Sequence, residues 1–338
     1  MGEQEMNAMN WYEGWLVAIG NGMIDSFWWI AAAAAAFAGF LRIARNAVPS
    51  RRYFVGVLMR ATVPIPFALN IRLDGFAVSS PAPRLIMQAL PNEAIAAGFS
   101  GTEWARPLAM LWIAGVVLLS LRAAGGWLYL RLLVRRATPL DWPALSTLCE
   151  RMGLRARVEL RITQREDSPY TAGWRRPLII VPIATLAGLP ADQLEAIILH
   201  ELAHIRRCDY LAEWAFQAME TVFFYHPAVW WMTAVLRKER ERSCDDMAIA
   251  AGVDRGCYAK ALVGLEEMRV PVFANGGAGS DLRGRIMRVL GEPVRSSVWP
   301  ILVMLSGNLG AAGALGCGAT VHAIPEVGEP GCRVPNSA

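Results

Sequence analysis

The sequence predicts a mainly α-helical chain with a small β element: a four-helix transmembrane bundle joined to one cytoplasmic domain. Of 338 residues, 54% are hydrophobic, and mean hydropathy is +0.31. That is too apolar for an ordinary soluble enzyme. The excess is gathered into runs, and a hydrocarbon core about 30 Å thick needs roughly 20 helical residues to cross it. Arginines cluster at the ends of the runs, which fixes a direction of insertion.

Four segments qualify as spans: Trp15 to Leu41, Tyr53 to Ile71, Pro107 to Leu130 and Trp299 to Val321. Arg60 and Arg122 interrupt the second and third. The start, MGEQEMNAMNWYEG, has Glu3, Glu5 and Glu13 but no Lys or Arg, so it does not read as a secretory signal peptide. Arg42, Arg45, Arg51 and Arg52 follow the first span, and Arg131, Arg135 and Arg136 leave the third. Both flanks read as cytoplasmic by the positive-inside rule. The expected organisation is therefore 1–136 with three spans, 137–297 as a cytoplasmic domain, and 298–338 as a fourth span with a short tail. Both termini and the loop from Arg72 to Arg106 fall outside.

Charge inside a span marks a candidate functional site by default. Asp25 lies about 25 Å from Arg42 along a helix, whereas Arg60 lies only about 12 Å from Arg52. The two are not expected to pair, and the long Arg60 side chain is expected to snorkel to the inner interface. The net charge of +4 comes mostly from arginines near the membrane, which favours contact with anionic lipid over direct nucleic-acid binding. Cys149, Cys208, Cys244 and Cys257 fall on the reducing side, Cys317 in the last span and Cys332 outside, so no disulfide framework is indicated. The Gly-rich ANGGAGS, Ala274 to Ser280, reads as a loop.

In the cytoplasmic region, RVELRIT and PLIIVPI read as strands separated by the turn-like QREDSPYTAGWRR. Pro177 and Pro182 flank the second strand and suggest a sheet edge. Pro190 opens a helix with Asp192 and Glu195 in its first turn. A second helix is expected over Leu211 to Tyr225, and a third from Pro227 to near Gly252.

The first of these helices contains LEAIILHELAHIRRCDYL. His200 and His204, two of only four histidines, are four residues apart and share a helix face, so both imidazoles can converge on one ion. Glu201 projects from a neighbouring face of that turn. This HExxH arrangement offers two imidazole ligands for Zn2+ and a carboxylate able to take a proton from water. The third helix offers another ligand: in ERERSCDD, Glu241 and Asp245 are four apart on one face. Glu241 is the favoured donor, with Cys244 and His226 as competitors, and Asp245 is placed to orient a ligand imidazole. Asp209 falls about 140° around a continuous helix from His204, so it is expected to fix packing behind the ligands, as Asp245 does, rather than to touch zinc. Tyr258 and His226 are weak candidates for stabilising the oxyanion, and a structural role is the alternative for each.

HELAHIRRCD, FFYHPAVWW, RKERERSCDD, YAKAL and SPYTAGWRRPLIIVP, taken together, resemble the membrane zinc peptidases of the BlaR/MecR type, the antirepressor sensors of β-lactam resistance. The resemblance runs over nearly the whole chain. It implies a gluzincin-like cytoplasmic zinc metallopeptidase domain in a multi-pass protein of the bacterial inner membrane. Zinc would sit on His200, His204 and Glu241, with Glu201 as general base. The ExxxD pairing, shared with thermolysin-like enzymes, implies that Asp245 hydrogen-bonds His200. After the fourth span only AIPEVGEPGCRVPNSA follows, too short to fold as the penicillin-binding sensor domain. A stimulus is then expected through the outer loop, the spans, a separate sensor partner or a homo-oligomer.

The implied activity is zinc-dependent endopeptidase action on a protein substrate, such as a winged-helix transcriptional repressor. A membrane-protein quality-control protease and a non-catalytic signalling receptor are the alternatives. Intact ligands and base argue against the receptor, and a neighbouring repressor gene would favour the first reading.

Overall fold

The structure is a computed structural model that describes residues 3–69, 101–164, 168–173, 175–268 and 278–291. The expected fourth span, the external tail, Cys317 and Cys332 lie outside these residues, as do most of the 72–106 loop and 274–277. Among the described residues the chain is mainly helical with one four-stranded sheet. It divides into two compact units, Met1–Leu133 with Leu211–Ser243, and Val134–Tyr210 with Cys244–Ala338. The segment Leu211–Ser243 clusters with the N-terminal helices.

In the first unit, α1 (Glu3–Ile43) contains the first expected span. Its alanine run is strongly helix-forming. A short 3-10 turn, Ala44–Asn46, and extended Val48 ahead of Pro49 end it, and Pro49 opens α2 (Pro49–Ala61). The expected continuous span Tyr53 to Ile71 is broken. Helix α2 stops at Ala61 and a separate helical stretch covers 64–69, because Pro64 disfavours helical backbone at the residue before it. At 13 residues, α2 is about 20 Å long.

Helix α3 (Gly101–Arg136) holds the third expected span and begins before it. Gly14–Asn46 and Trp104–Arg136 are long and apolar enough to cross a membrane. Leu111, Leu118 and Leu121 are exposed on α3, as a lipid-facing surface requires. Helices α1 and α3 meet closely at Gly20, where a Cβ would collide with the backbone carbonyl of Ala105.

The same unit contains α7 (Asp209–Val222) from Leu211 onward and α8 (Pro227–Ala250) as far as Ser243. Phe216 of α7, Phe223 in the turn after it, and Val229, Met232 and Leu236 of α8 share a core with Ile30, Phe37, Tyr53 and Phe67. Arg60 does not snorkel. It is 3% exposed, its guanidinium lies over the Phe216 ring at 4.8 Å, and Nη2 donates to the Phe216 carbonyl at 3.4 Å. An aromatic face and a carbonyl replace water as its partners.

The second unit is built on strands β1 (Thr138–Pro139), β2 (Glu159–Thr163), β3 (Tyr170–Ala172) and β4 (Leu178–Pro182), with α4 (Ala144–Arg151) between β1 and β2. Their order is β1-β2-β4-β3: β2 and β4 are parallel, and β1 and β3 pair antiparallel with their neighbours. The expectation that β4 is an edge is thus corrected. It pairs on both sides, and all five of its residues are buried, as a continuous apolar run suits a central strand. Its prolines are compatible because Pro177 precedes the strand and Pro182 ends it, leading into α5 (Ile183–Gly188). The edges are β1 and β3, and β3 lies inside the segment expected to be a turn.

Helix α6 (Ala191–Arg207) lies over the sheet, packing Ile198, Leu199 and Leu202 with Ile179 and Val181 of β4. Helix α9 (Arg255–Glu267) is capped by Asp254, whose side chain accepts from the Cys257 amide at 2.8 Å. Its Tyr258 and Leu262 pack on Ala196 and Ile197 of α6. Helix α10 (Ala278–Val289) adds Val289 to that cluster.

Candidate metal centre

Helix α6 buries the face that holds the motif. His200 and Glu201 are 6% and 8% exposed, in line with the fully buried Ile198, Leu199 and Leu202. The two imidazoles meet edge to face, with Nε2 of His200 and Nε2 of His204 3.2 Å apart. Two nitrogens bound to one tetrahedral zinc at about 2.0–2.1 Å stand about 3.3 Å apart. The spacing fits a shared ion.

Each ring is held from its other nitrogen. Tyr258, fully buried on α9, donates its hydroxyl proton to Asp245 Oδ1 at 2.6 Å and sits 2.8 Å from His200 Nδ1. Asp245 Oδ1 is itself 3.3 Å from that nitrogen. His200 Nδ1–H therefore has oxygen acceptors, leaving the Nε2 lone pair free to bind. On His204, Nδ1 pairs with Asp209 Oδ2 at 2.9 Å, which orients that ring in the same sense. With both Nδ1 atoms protonated, two lone pairs face each other across 3.2 Å. A cation between them removes the repulsion, so the residues present fit a metal.

Asp245 stays ionised in this setting. Burial works against its charge, but the His200 hydrogen bond and the Arg285 guanidinium outweigh burial and hold the carboxyl well below the usual carboxylate range. Arg285 of α10 grips it with both nitrogens, Nη2 to Oδ1 at 2.6 Å and Nε to Oδ2 at 3.1 Å.

Asp209 reaches His204 because the helix is not continuous. Cys208 adopts φ 56°, its amide caps α6 at the His204 and Ile205 carbonyls, and Asp209 starts α7 in a new direction. The 140° expected from an unbroken helix does not apply, and Asp209 touches the histidine itself. Arg207 Nε, 3.3 Å from both Asp209 oxygens, steadies it.

Cys244, fully buried on α8, lies 3.4 Å from His204 Nδ1 and 3.5 Å from Asp209 Oδ2. His204, Asp209 and Cys244 form a second group able to hold an ion. That group uses the nitrogen already engaged by Asp209 and turned away from His200. His226 is engaged elsewhere: Nε2 donates to the Phe27 carbonyl at 3.2 Å, and Nδ1 accepts from the Ala228 amide. Glu241 is carried by α8 one turn before Asp245, so the continuous helix sets the two carboxylates on one face. Sequence reasoning rated Tyr258 low and missed Arg285. The YAKAL motif was a signal for the tyrosine, and nothing local marked the arginine.

A helix presenting oriented imidazoles as HExxH, in a chain with membrane-length helices, defines a membrane metallopeptidase-type protein. Residues 41–289 match the profile of the BlaR1 peptidase M56 family, and the chain belongs to that family. It is 31% identical over 114 residues to the regulatory protein BlaR1 of Bacillus licheniformis, covering 34% of this chain and 19% of that one. To the regulatory protein BlaR1 of Staphylococcus aureus it is 25% identical over 123 residues, 36% of this chain and 21% of that one. To the methicillin resistance mecR1 protein of Staphylococcus aureus strain Mu50 it is 23% identical over 88 residues, 26% of this chain and 15% of that one. The matched stretches span about a fifth of these relatives' length or less.

Proposed function

We propose that the chain is an integral membrane zinc-dependent endopeptidase that cuts a regulatory protein, with a winged-helix transcriptional repressor as its substrate. The reading is carried by the 3.2 Å approach of the His200 and His204 Nε2 atoms while their Nδ1 atoms are engaged by oxygen acceptors. The zinc ligands are His200, His204 and Glu241, a donor set of the right types for one ion. Zinc, when bound, supplies a Lewis acid that polarises the scissile carbonyl and acidifies water.

The chain's own residues do the rest. Glu201, buried next to His200, takes the proton of the attacking water and passes it to the leaving amine. Asp245 and Tyr258 hold His200, and Asp209 holds His204, so neither imidazole reorients during turnover. The arginine-rich ends of α1 and α3 support a multi-pass topology in a bacterial inner membrane, with four spans, both termini outside and the catalytic residues in the cytoplasm. The words "regulatory protein" in the names of the BlaR1 relatives favour the regulatory substrate over quality control.

The test is to incubate the detergent-purified chain with a purified winged-helix transcriptional repressor. Zinc-dependent cleavage that disappears with Glu201→Ala supports the reading. Cleavage that survives Glu201→Ala, with zinc still bound, refutes it.

A further inference from the structure

The α7–α8 hairpin was expected in the aqueous domain, yet its tip is packed among the helices of the first unit. Ser26 Oγ and Tyr225 OH are 2.7 Å apart, the Phe27 and His226 rings are centred 4.6 Å apart, and Phe37 packs edge-on to Trp231. From α3, Trp112 Nε1 donates to the Val222 carbonyl at 2.8 Å, and Gly115 leaves the space that the Phe224 ring fills.

These contacts measure depth from two independent helices. Ser26 lies sixteen residues, about 24 Å, from Arg42, and Trp112 lies nineteen residues, about 28 Å, from Arg131. Against a core about 30 Å thick, the tip stands well past the midplane. We infer that the α7–α8 hairpin is a re-entrant membrane element whose outer face, at Trp230 and Ala234, is solvated by lipid acyl chains. The inference deepens the membrane-peptidase reading and rests on α1 and α3 being spans.

The polar chemistry of the hairpin is arranged as lipid demands. A helix end in hydrocarbon must have its backbone groups satisfied by protein. Here Trp112 takes the Val222 carbonyl, the His226 amide takes that of Phe223, and Trp230 Nε1 takes that of Phe224. At the start of α8, Pro227 has no N–H to satisfy, and the Ala228 and Val229 amides bond to His226. The charges lie toward the base of the hairpin and are paired: Arg237 with Glu213 and Glu220, Arg240 with Glu213, and Glu239 with Arg52 and Arg242.

Between these levels Trp230 and Ala234 are exposed and apolar. Glu241 follows seven residues after Ala234, about 10 Å along the same helix. The helix that lies in lipid thus carries Glu241, the proposed zinc-binding carboxylate, beyond its lipid-facing stretch.

The experiment uses the full chain in phosphatidylcholine vesicles whose acyl chains carry a photoactivatable diazirine, with crosslinked residues mapped by mass spectrometry. Trp230 and Ala234 should label as strongly as Trp28 on α1 and Leu118 on α3, about tenfold above Arg155 and Lys260. Labelling of Trp28 and Leu118 with none over Leu211–Leu236 overturns the hairpin proposal and leaves the spans standing. Absence of label at Trp28 and Leu118 overturns the spans themselves, and the hairpin with them.

Discussion

Tyr258 donates its hydroxyl proton to Asp245 at 2.6 Å while the same oxygen stands 2.8 Å from His200 Nδ1. One phenol thus ties the helix carrying the first HExxH histidine to the helix carrying the ExxxD aspartate. Tyr258→Phe keeps the ring and its packing but removes that link. Zinc affinity should fall about tenfold, as for the loss of other partners that orient a ligand histidine. Competition with a chromogenic chelator reads this directly. Unchanged affinity would mean that Asp245 alone fixes the imidazole.

Metal content separates ligand from base. The purified chain should hold about one zinc, reduced sharply by His204→Ala or Glu241→Ala but kept by Glu201→Ala, because the base is not a ligand. Elemental analysis on protein in mild detergent checks it. Full zinc in Glu241→Ala together with loss in Cys244→Ala would move the site to the group of His204, Asp209 and Cys244.

The α1–α3 crossing gives a packing prediction. A Cβ at Gly20 would collide with the Ala105 backbone, and Ala105 is fully buried. A backbone wall cannot move aside as a flexible side chain can. Gly20→Val should therefore force the helices apart and cost about 1–3 kcal/mol. Thermal denaturation in detergent should show a lower Tm, and a parental Tm would place the crossing elsewhere.

Topology is tested by position. A reporter active only in the cytoplasm should work when fused after Arg136 and fail at the N-terminus, because basic residues gather at the C-terminal ends of α1 and α3. Activity at both places would remove one crossing.

The parts of this structure readable in the sequence follow local rules. The HExxH helix, the two apolar spans and the β2 and β4 strands depend on period and composition, which neighbouring residues carry. The parts that were not readable depend on partners distant in sequence. The apolar hairpin could have been core in an aqueous domain, and long-range contacts such as those with Ser26, Phe27 and Trp112 assign it to the first unit. Arg60 points inward because Phe216, 156 residues away, offers it a ring and a carbonyl. The route by which Asp209 reaches His204 was not readable: it depends on one backbone angle, the left-handed turn at Cys208, a conformation that residue type does not announce.

The sheet order leads to a prediction about substrate. Strand β4 is paired on both sides and the edges are β1 and β3; of the two, β3 runs beside the HExxH helix and is the strand placed to pair with an extended peptide. Adding a strand supplies backbone hydrogen bonds without demanding a particular sequence, which suits an endopeptidase. Successive amides of a strand point in opposite directions, so Thr171 and Ala172 direct one N–H toward β4 and one away. Proline at the inward position should weaken the sheet and lower Tm. Proline at the outward one should leave fold and zinc intact yet slow cleavage about fivefold, the equivalent of roughly one net hydrogen bond. A peptide N-methylated beside the scissile bond tests the same pairing from the substrate's side without disturbing the protein. Parental rates with both the zinc-loaded proline variant and the methylated peptide would rule out β3 as the substrate-pairing edge.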